Sequence, residues 1–210
     1  KYFLQLSFVR KKALKNINLT IPAKTMVGFI GPTGSGKTTI VDLIIGLLEV
    51  QEGTLTVDKT EITQDNILQW QKNIGYVPQR SFLVDDTIEA NIAFGVEEKD
   101  VNQKAILRAA KVANIDTFIC NELPKGYQTV VGENGTRLSG GQCQRIGIAR
   151  ALYHNPSILV MDEATSALDS QTETQIMELL KDIKKTITII FITHRLSALK
   201  DCDVIYKISD

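Results

Sequence analysis

The residues best suited to chemistry are Gly31-Pro32-Thr33-Gly34-Ser35-Gly36-Lys37-Thr38, which follow the apolar run Met26 to Ile30 and precede the amphipathic stretch Ile40 to Leu48. Strand, glycine loop and helix in that order make an anion nest: glycines at 31, 34 and 36 let successive N–H groups turn inward at a helix N-terminus. Lys37 brings a full positive charge to the β- and γ-phosphates of a nucleoside triphosphate. The Thr38 hydroxyl brings one hard oxygen for Mg²⁺, and Thr39 continues the cradle. The alternative, a glycine-rich turn carrying a chance lysine, needs every fixed position and the strand-to-helix context to coincide.

A second candidate lies at Asp162-Glu163, directly after the apolar run Ile158 to Met161. Side chains of neighbouring residues on an extended backbone diverge, so two adjacent carboxylates can take different tasks at one strand end. Asp162 suits a Mg²⁺ ion, reached through water. Glu163 suits the water that attacks a γ-phosphate, as general base or orienting group. The competing reading is an acidic start to the next helix, where the dipole favours carboxylates.

Leu138-Ser139-Gly140-Gly141-Gln142 is the third signal. Ser139 is a good N-cap, and the two glycines bare the N–H groups that open the helix, a second anion site. Since the chain already has one phosphate loop, a second nest makes sense when it closes over a nucleotide held by another copy. An ordinary capped helix after a glycine turn is the alternative.

These groups need a scaffold that holds strand ends side by side. Strand-like runs occur at Tyr2 to Phe8, Ile17 to Ile21, Met26 to Ile30, Thr54 to Val57 and Ile74 to Val77. Helical patterning then dominates roughly residues 81 to 144, at Thr87 to Ala93, Asp100 to Ala113 and Asp116 to Ile119, before a glycine-punctuated loop. Alternation resumes with helix Gln142 to Tyr153, strand Ile158 to Met161, helix Ser170 to Lys181, strand Thr186 to Ile192, helix Ser197 to Lys200 and strand Asp203 to Ile208. Continuous apolar strands separated by helices argue an α/β parallel sheet covered on both faces.

Composition narrows the class. With 210 residues the chain is one or at most two domains, and its 24 basic and 24 acidic side chains cancel, so no basic excess points to nucleic acid. Cys120, Cys143 and Cys202 are far apart and form no C-x-x-C pair, which disfavours zinc and a disulfide framework and suits a reducing cytosol. No uninterrupted apolar stretch is long enough to span a bilayer. The chain begins at Lys1 without a signal-like segment, as an excised portion of something longer would.

Phosphate loop, Leu-Ser-Gly-Gly-Gln and Asp-Glu stand in the order and at about the spacing of the ATP-binding cassette domains of ABC transporters, and the resemblance covers essentially the whole chain. It implies a P-loop NTPase core of RecA-like type with a parallel sheet, an antiparallel β subdomain and an α-helical subdomain. Residues 1–80 and 146–210 would form the catalytic core and 81–145 the helical part of a single domain. It implies ATP at Gly31 to Thr39 with Mg²⁺ held by Thr38, Gln79 and Asp162. Gln79, in Tyr76-Val77-Pro78-Gln79, matches the Q-loop glutamine that reaches Mg²⁺ and the attacking water. Ser139 to Gln142 match the signature that contacts ATP across a head-to-tail dimer. Ser166-Ala167-Leu168-Asp169 matches the D-loop that lies against the partner's phosphate loop, and His194 matches the switch histidine at the γ-phosphate. Read without that resemblance, Gln79 is a polar turn residue and His194 a solvated strand end; His154 reads as a surface loop residue.

Leu123-Pro-Lys-Gly-Tyr-Gln-Thr, the Glu133 loop, and Val84 to Gly95 resemble exporter-type cassettes more than importer-type ones. That implies a transmembrane domain fused before Lys1 and a location on the cytoplasmic face of a membrane, the bacterial inner membrane in the first instance. One departure concerns adenine: exporter cassettes usually place a tyrosine two residues after Ser-Phe, whereas Ser7-Phe8 is followed here by Val9-Arg10. Arg10 could stack on the base through its guanidinium, with Tyr2 a distant substitute. Cys143 stands where a basic or polar residue often follows the signature. Two other classes compete. A non-transport ABC ATPase usually carries a long coiled coil or a second cassette, and a GTPase carries an Asn/Thr-Lys-x-Asp guanine-reading segment; neither feature is in this sequence.

Overall fold

The computed structural model describes residues 4–7, 14, 17–166 and 168–209. In chain order the elements are β1 (Leu4–Ser7), β2 (Asn18–Ile21), β3 (Met26–Ile30), α1 (Lys37–Ile44), β4 (Leu55–Val57), β5 (Thr60–Glu61), α2 (Ile67–Gln71), β6 (Ile74–Val77), α3 (Ile88–Ile92), α4 (Gln103–Val112), α5 (Asp116–Glu122), α6 (Gly140–Leu152), β7 (Ile158–Asp162), α7 (Ser170–Ile183), β8 (Thr188–Ile192), α8 (Leu196–Leu199) and β9 (Val204–Lys207).

Five strands form a parallel sheet in the order β6-β7-β8-β3-β9. A separate antiparallel sheet has the order β2-β1-β4-β5. The interior strands β7, β8 and β3 are apolar on both faces because both are covered, whereas the edge strands β6 and β9 expose Tyr76 and Ile205, and the two-residue period divides the buried positions between two cores. Leu159, Met161, Ile189 and Phe191 join one core with α3 to α7, while Ile158, Val160, Ile190 and Ile192 join the other with α1 and the antiparallel sheet. Full burial of such a side chain stabilises by about 1.5–3 kcal/mol, so each interior strand is pinned from both sides.

All five strands point the same way, so the chain leaves β3, β6, β7 and β8 at one edge of the sheet. Gly31, Gln79, Glu163 and His194 lie just beyond those four ends. Open parallel sheets bind ligands outside their carboxyl ends for this reason. Those four strands are also consecutive neighbours in the sheet, in the order β6, β7, β8, β3.

Several boundaries differ from the sequence expectation, each with a local cause. The helix after the phosphate loop ends at Ile44 rather than Leu48. Gly46 turns at φ 73 and Leu47 N–H bonds back to Asp42 O at 2.8 Å. The unexpected α2 follows, anchored by buried Trp70, whose Nε1 donates to Ile44 O at 2.6 Å. The expected helix from Asp100 breaks into a 3₁₀ turn at Glu98–Asp100 and α4, because Asn102 caps α4 by accepting from Ala105 N at 3.1 Å. Strand β8 starts at Thr188, since the N–H groups of Thr186 and Ile187 both bond to Ile183 O at the end of α7. The signature helix α6 starts at Gly140 and runs across residue 145 to Leu152.

Candidate functional site

The phosphate loop has the strand-to-helix geometry its glycines require. Gly34 (φ 85) and Gly36 (φ 91) lie in the left-handed region, and Gly36 caps α1. Gly31 is fixed by crowding instead: a Cβ there would come within 2.3 Å of Ile208 O. Lys37 is buried at 5 % exposure and donates from Nζ to Gly31 O and Pro32 O, both at 2.8 Å. Two of three ammonium N–H groups therefore curl the loop, and one is left for an anion. Ser35 Oγ is buried beside Gly31 with no hydrogen-bond partner among the described residues.

A cleft of about 190 Å³ opens on this loop, lined by Thr33, Gly34, Gly36, Lys37, Thr38 and Thr39 on one side and Glu163 and His194 on the other. Larger grooves exist. One of about 580 Å³ runs along residues 43–67, but its lining carries Glu49, Glu61 and Asp65 and no lysine or arginine, which is the wrong charge for a triphosphate.

Asp162 and Glu163 do diverge. Asp162 closes β7 and accepts from the Tyr76 hydroxyl at 3.2 Å. Glu163 takes a left-handed backbone (φ 49), an uncommon conformation for this residue type, fixed by its N–H bond to Ile192 O at 3.0 Å. Its carboxylate then meets two partners. His194 Nε2 contacts Oε1, and Gln79 Nε2 donates to Oε2 at 3.3 Å while also reaching Ser166 Oγ at 3.2 Å.

Desolvation raises the pKa of Asp162; the Tyr76 hydrogen bond opposes this, and the nearby Glu163 and Asp42 carboxylates reinforce it. Burial, with the Asp162 charge second, pushes the Tyr76 phenol up to about 12. A half-buried carboxylate among carboxylates is a place where a cation relieves cost. The hard oxygens of Asp162, Thr38 and Gln79 suit Mg²⁺, which binds through few protein groups plus phosphate and water. Among the described residues no group of three or more His, Cys, Asp or Glu could hold a metal without such help.

The remaining sequence expectations fall in different places. Ser139 and Gln142 form a capping box: Ser139 Oγ accepts from Gln142 N at 3.2 Å and Ser139 N donates to Gln142 Oε1 at 2.8 Å. Among the described residues no hydrogen bond joins Ser139 to Gln142 to the phosphate loop of the same chain. A Cβ at Gly141 would meet Thr172 Cγ2 at 2.6 Å, whereas one at Gly140 would meet nothing within 4 Å. Asp169 caps α7, accepting from Gln171 N, Thr172 N and Thr172 Oγ1, and these bonds lower its pKa. Arg10, Tyr2 and Ala167 lie outside the described residues. His154 is exposed and edges against Tyr153 at 4.8 Å.

Two contributors escape sequence reading. Tyr76 was visible only as part of the segment before Gln79. Arg195 donates to Glu173 Oε2 at 2.7 Å and to Ser166 O at 2.8 Å, tying the residue after His194 to the loop after Glu163. Its only sequence signal was a cation beside a candidate histidine.

The family model described as ABC transporter matches residues 14–166. The ATP-dependent lipid A-core flippase of Syntrophus aciditrophicus is 45% identical over 190 residues, 90% of this chain and 31% of that protein. ATP-binding cassette sub-family B member 5 of Mus musculus is 44% identical over 199 residues, 95% of this chain and 16% of that protein. The solved structure of a bacterial Atm1-family ABC exporter with ATP bound superposes with a TM-score of 0.86 at 37% identity, covering 99% of this chain and 37% of that one. The chain thus spans about a third or less of the length of these relatives.

Proposed function

The chain belongs to the ABC transporter family, and from that premise we propose that it is the ATP-binding and ATP-hydrolysing domain of an exporter-type transporter. The observation that carries the proposal is the convergence of Gln79 and His194 on the Glu163 carboxylate, across a cleft from Lys37 and Thr38.

The loop N–H groups and Lys37 hold the triphosphate. Thr38, Asp162 and Gln79 would hold Mg²⁺, which would neutralise charge on the phosphate oxygens. Glu163 takes the proton of, or orients, a water in line with the γ-phosphorus. His194, bound to the other oxygen of that carboxylate and lining the same cleft as Lys37, would contact the γ-phosphate. Positioning and charge account for most of the catalysis in phosphoryl transfer, so a rigid row of strand ends is the appropriate frame.

Signature residues Ser139 to Gln142 cap their own helix and offer Gly140 outward, which supports a role on the nucleotide of a second copy in a head-to-tail pair. Asp169, at the start of α7, would lie along the same junction. Movement of Gln79 and the Glu133 loop would pass the closing and opening of that pair to membrane helices, a population shift driven by ligand. No helix among the described residues is long and apolar enough to cross a membrane; the greater length of the transporter relatives supports a membrane-spanning part in a separate segment, fused before this one, with this domain on the cytoplasmic face. Relatives named as a flippase and an exporter support export over import.

The test is Glu163→Gln: ATP affinity should stay within about twofold while turnover falls by about 10² or more. Hydrolysis near the wild-type rate would remove Glu163 from the role.

A further inference from the structure

We infer that Arg195 is a positioning residue that locks the loop leaving Glu163 onto the segment carrying His194, so that the hydrolytic groups and the Asp169 end of the loop keep one geometry. The inference rests on the hydrolytic reading of Glu163 and His194.

Both terminal nitrogens of the guanidinium serve this task. Its NH1 pairs with Glu173 on α7 at 2.7 Å and reaches Leu168 O at 3.4 Å; its NH2 donates to Ser166 O at 2.8 Å and reaches Leu168 O at 3.4 Å. Glu173 is 8 % exposed, and its second oxygen accepts from Thr165 Oγ1 at 3.4 Å. A carboxylate that deeply placed needs a fixed counter-charge. One planar fork thus holds a helix side chain and two loop carbonyls, which a lysine ammonium cannot serve with the same geometry.

Ala164 and Leu168 pack into the core at either end of the loop, and Ser166 between them is held by hydrogen bonds. Among the described residues the loop's own short bonds are Ser166 N to Glu163 O at 2.9 Å and Leu168 N to Thr165 O at 3.2 Å, and it begins at Glu163 in a left-handed conformation. Ser166 also receives the Gln79 amide, and Arg195 N bonds to Thr193 Oγ1 at 3.0 Å. Arg195 is therefore covalently next to His194 and hydrogen-bonded to the residue that Gln79 touches. Displacing it frees both flanks of Glu163 at once.

The test compares wild type, Arg195→Gln and Arg195→Lys in the full-length protein. ATP binding is titrated for affinity and stoichiometry, and kcat is expressed per competent binding site. Expected are unchanged ATP affinity and KM, a fall in kcat per site of about tenfold or more for Arg195→Gln, partial recovery in Arg195→Lys, and faster amide exchange at Ser166 and Leu168. Unchanged kcat per site overturns the inference, and so does a loss of binding sites with the remaining sites fully active, which would mark a structural role alone. A wild type that binds but does not hydrolyse ATP would strike the ATPase reading first and take this inference with it.

Discussion

Asp162 and Glu163, adjacent in the chain, send their carboxylates to different partners: Asp162 to the Tyr76 hydroxyl at 3.2 Å, Glu163 to His194 and Gln79. The left-handed backbone at Glu163 swings its side chain out of the line of β7. Strain of this kind at a strand end gathers where a side chain must be aimed rather than merely accommodated.

That strain is measurable. Replacing Glu163 with glycine removes the steric cost of the left-handed conformation and should raise the unfolding free energy by about 1 kcal/mol, while hydrolysis is lost. Denaturant unfolding checks it, and a variant less stable than wild type would mean that the contacts to His194 and Gln79 outweigh the strain.

The two signature glycines should behave in opposite ways. Gly140→Ala meets open space and should leave the chain as stable or about 0.5 kcal/mol more stable, yet weaken ATP-driven pairing of two copies. Gly141→Ala drives a methyl into Thr172 and should destabilise by about 1–3 kcal/mol. Thermal melts beside nucleotide-dependent sedimentation separate the effects; normal pairing by Gly140→Ala would argue that Gly140 does not face the second copy.

Much of this was legible in the sequence, for identifiable reasons. The phosphate loop declares itself because its glycines are favoured by close approach at Gly31 and by a left-handed backbone at Gly34 and Gly36, where other residues are strained. Strands β7 and β8 declare themselves because burial on both faces demands continuous apolar runs. The ends of α1 and β8 were hidden, since a turn at Gly46 and bonds back to Ile183 O are tertiary outcomes. Tyr76 and Arg195 were hidden because their partners lie 86 and 22 to 29 residues away. Gln79 and His194 carry no local signal and were found through resemblance alone.

Lys37→Ala should weaken ATP binding by about 2 kcal/mol, the scale of a charge-assisted hydrogen bond. Isothermal titration with Mg-ATP reads it directly, and unaltered affinity would detach the loop from nucleotide binding.

A pH dependence follows from Asp203, away from the cleft. The Lys184 ammonium at 2.9 Å, then the Met26 N–H at 2.8 Å, hold its carboxyl below the ordinary 3.8. A depressed folded pKa gives stability that is complete above 3.8 and drains as pH falls through the lowered value. Because the carboxylate is 40% exposed, solvent screening limits the contribution to about 1 kcal/mol. Asp203→Asn should therefore be less stable than wild type near neutrality, and the gap should close in strong acid. A gap that widens with acid would reverse the assignment.

On the proposed function, half of each site comes from a second copy. The direct measurement is the solution mass of the 210-residue Glu163→Gln chain by light scattering, without nucleotide and at saturating Mg-ATP. The mass should double from 23.3 kDa when ATP is added and return to the monomer value when ATP is removed. A chain that demonstrably binds ATP yet stays at the monomer mass at every protein concentration would contradict the shared site.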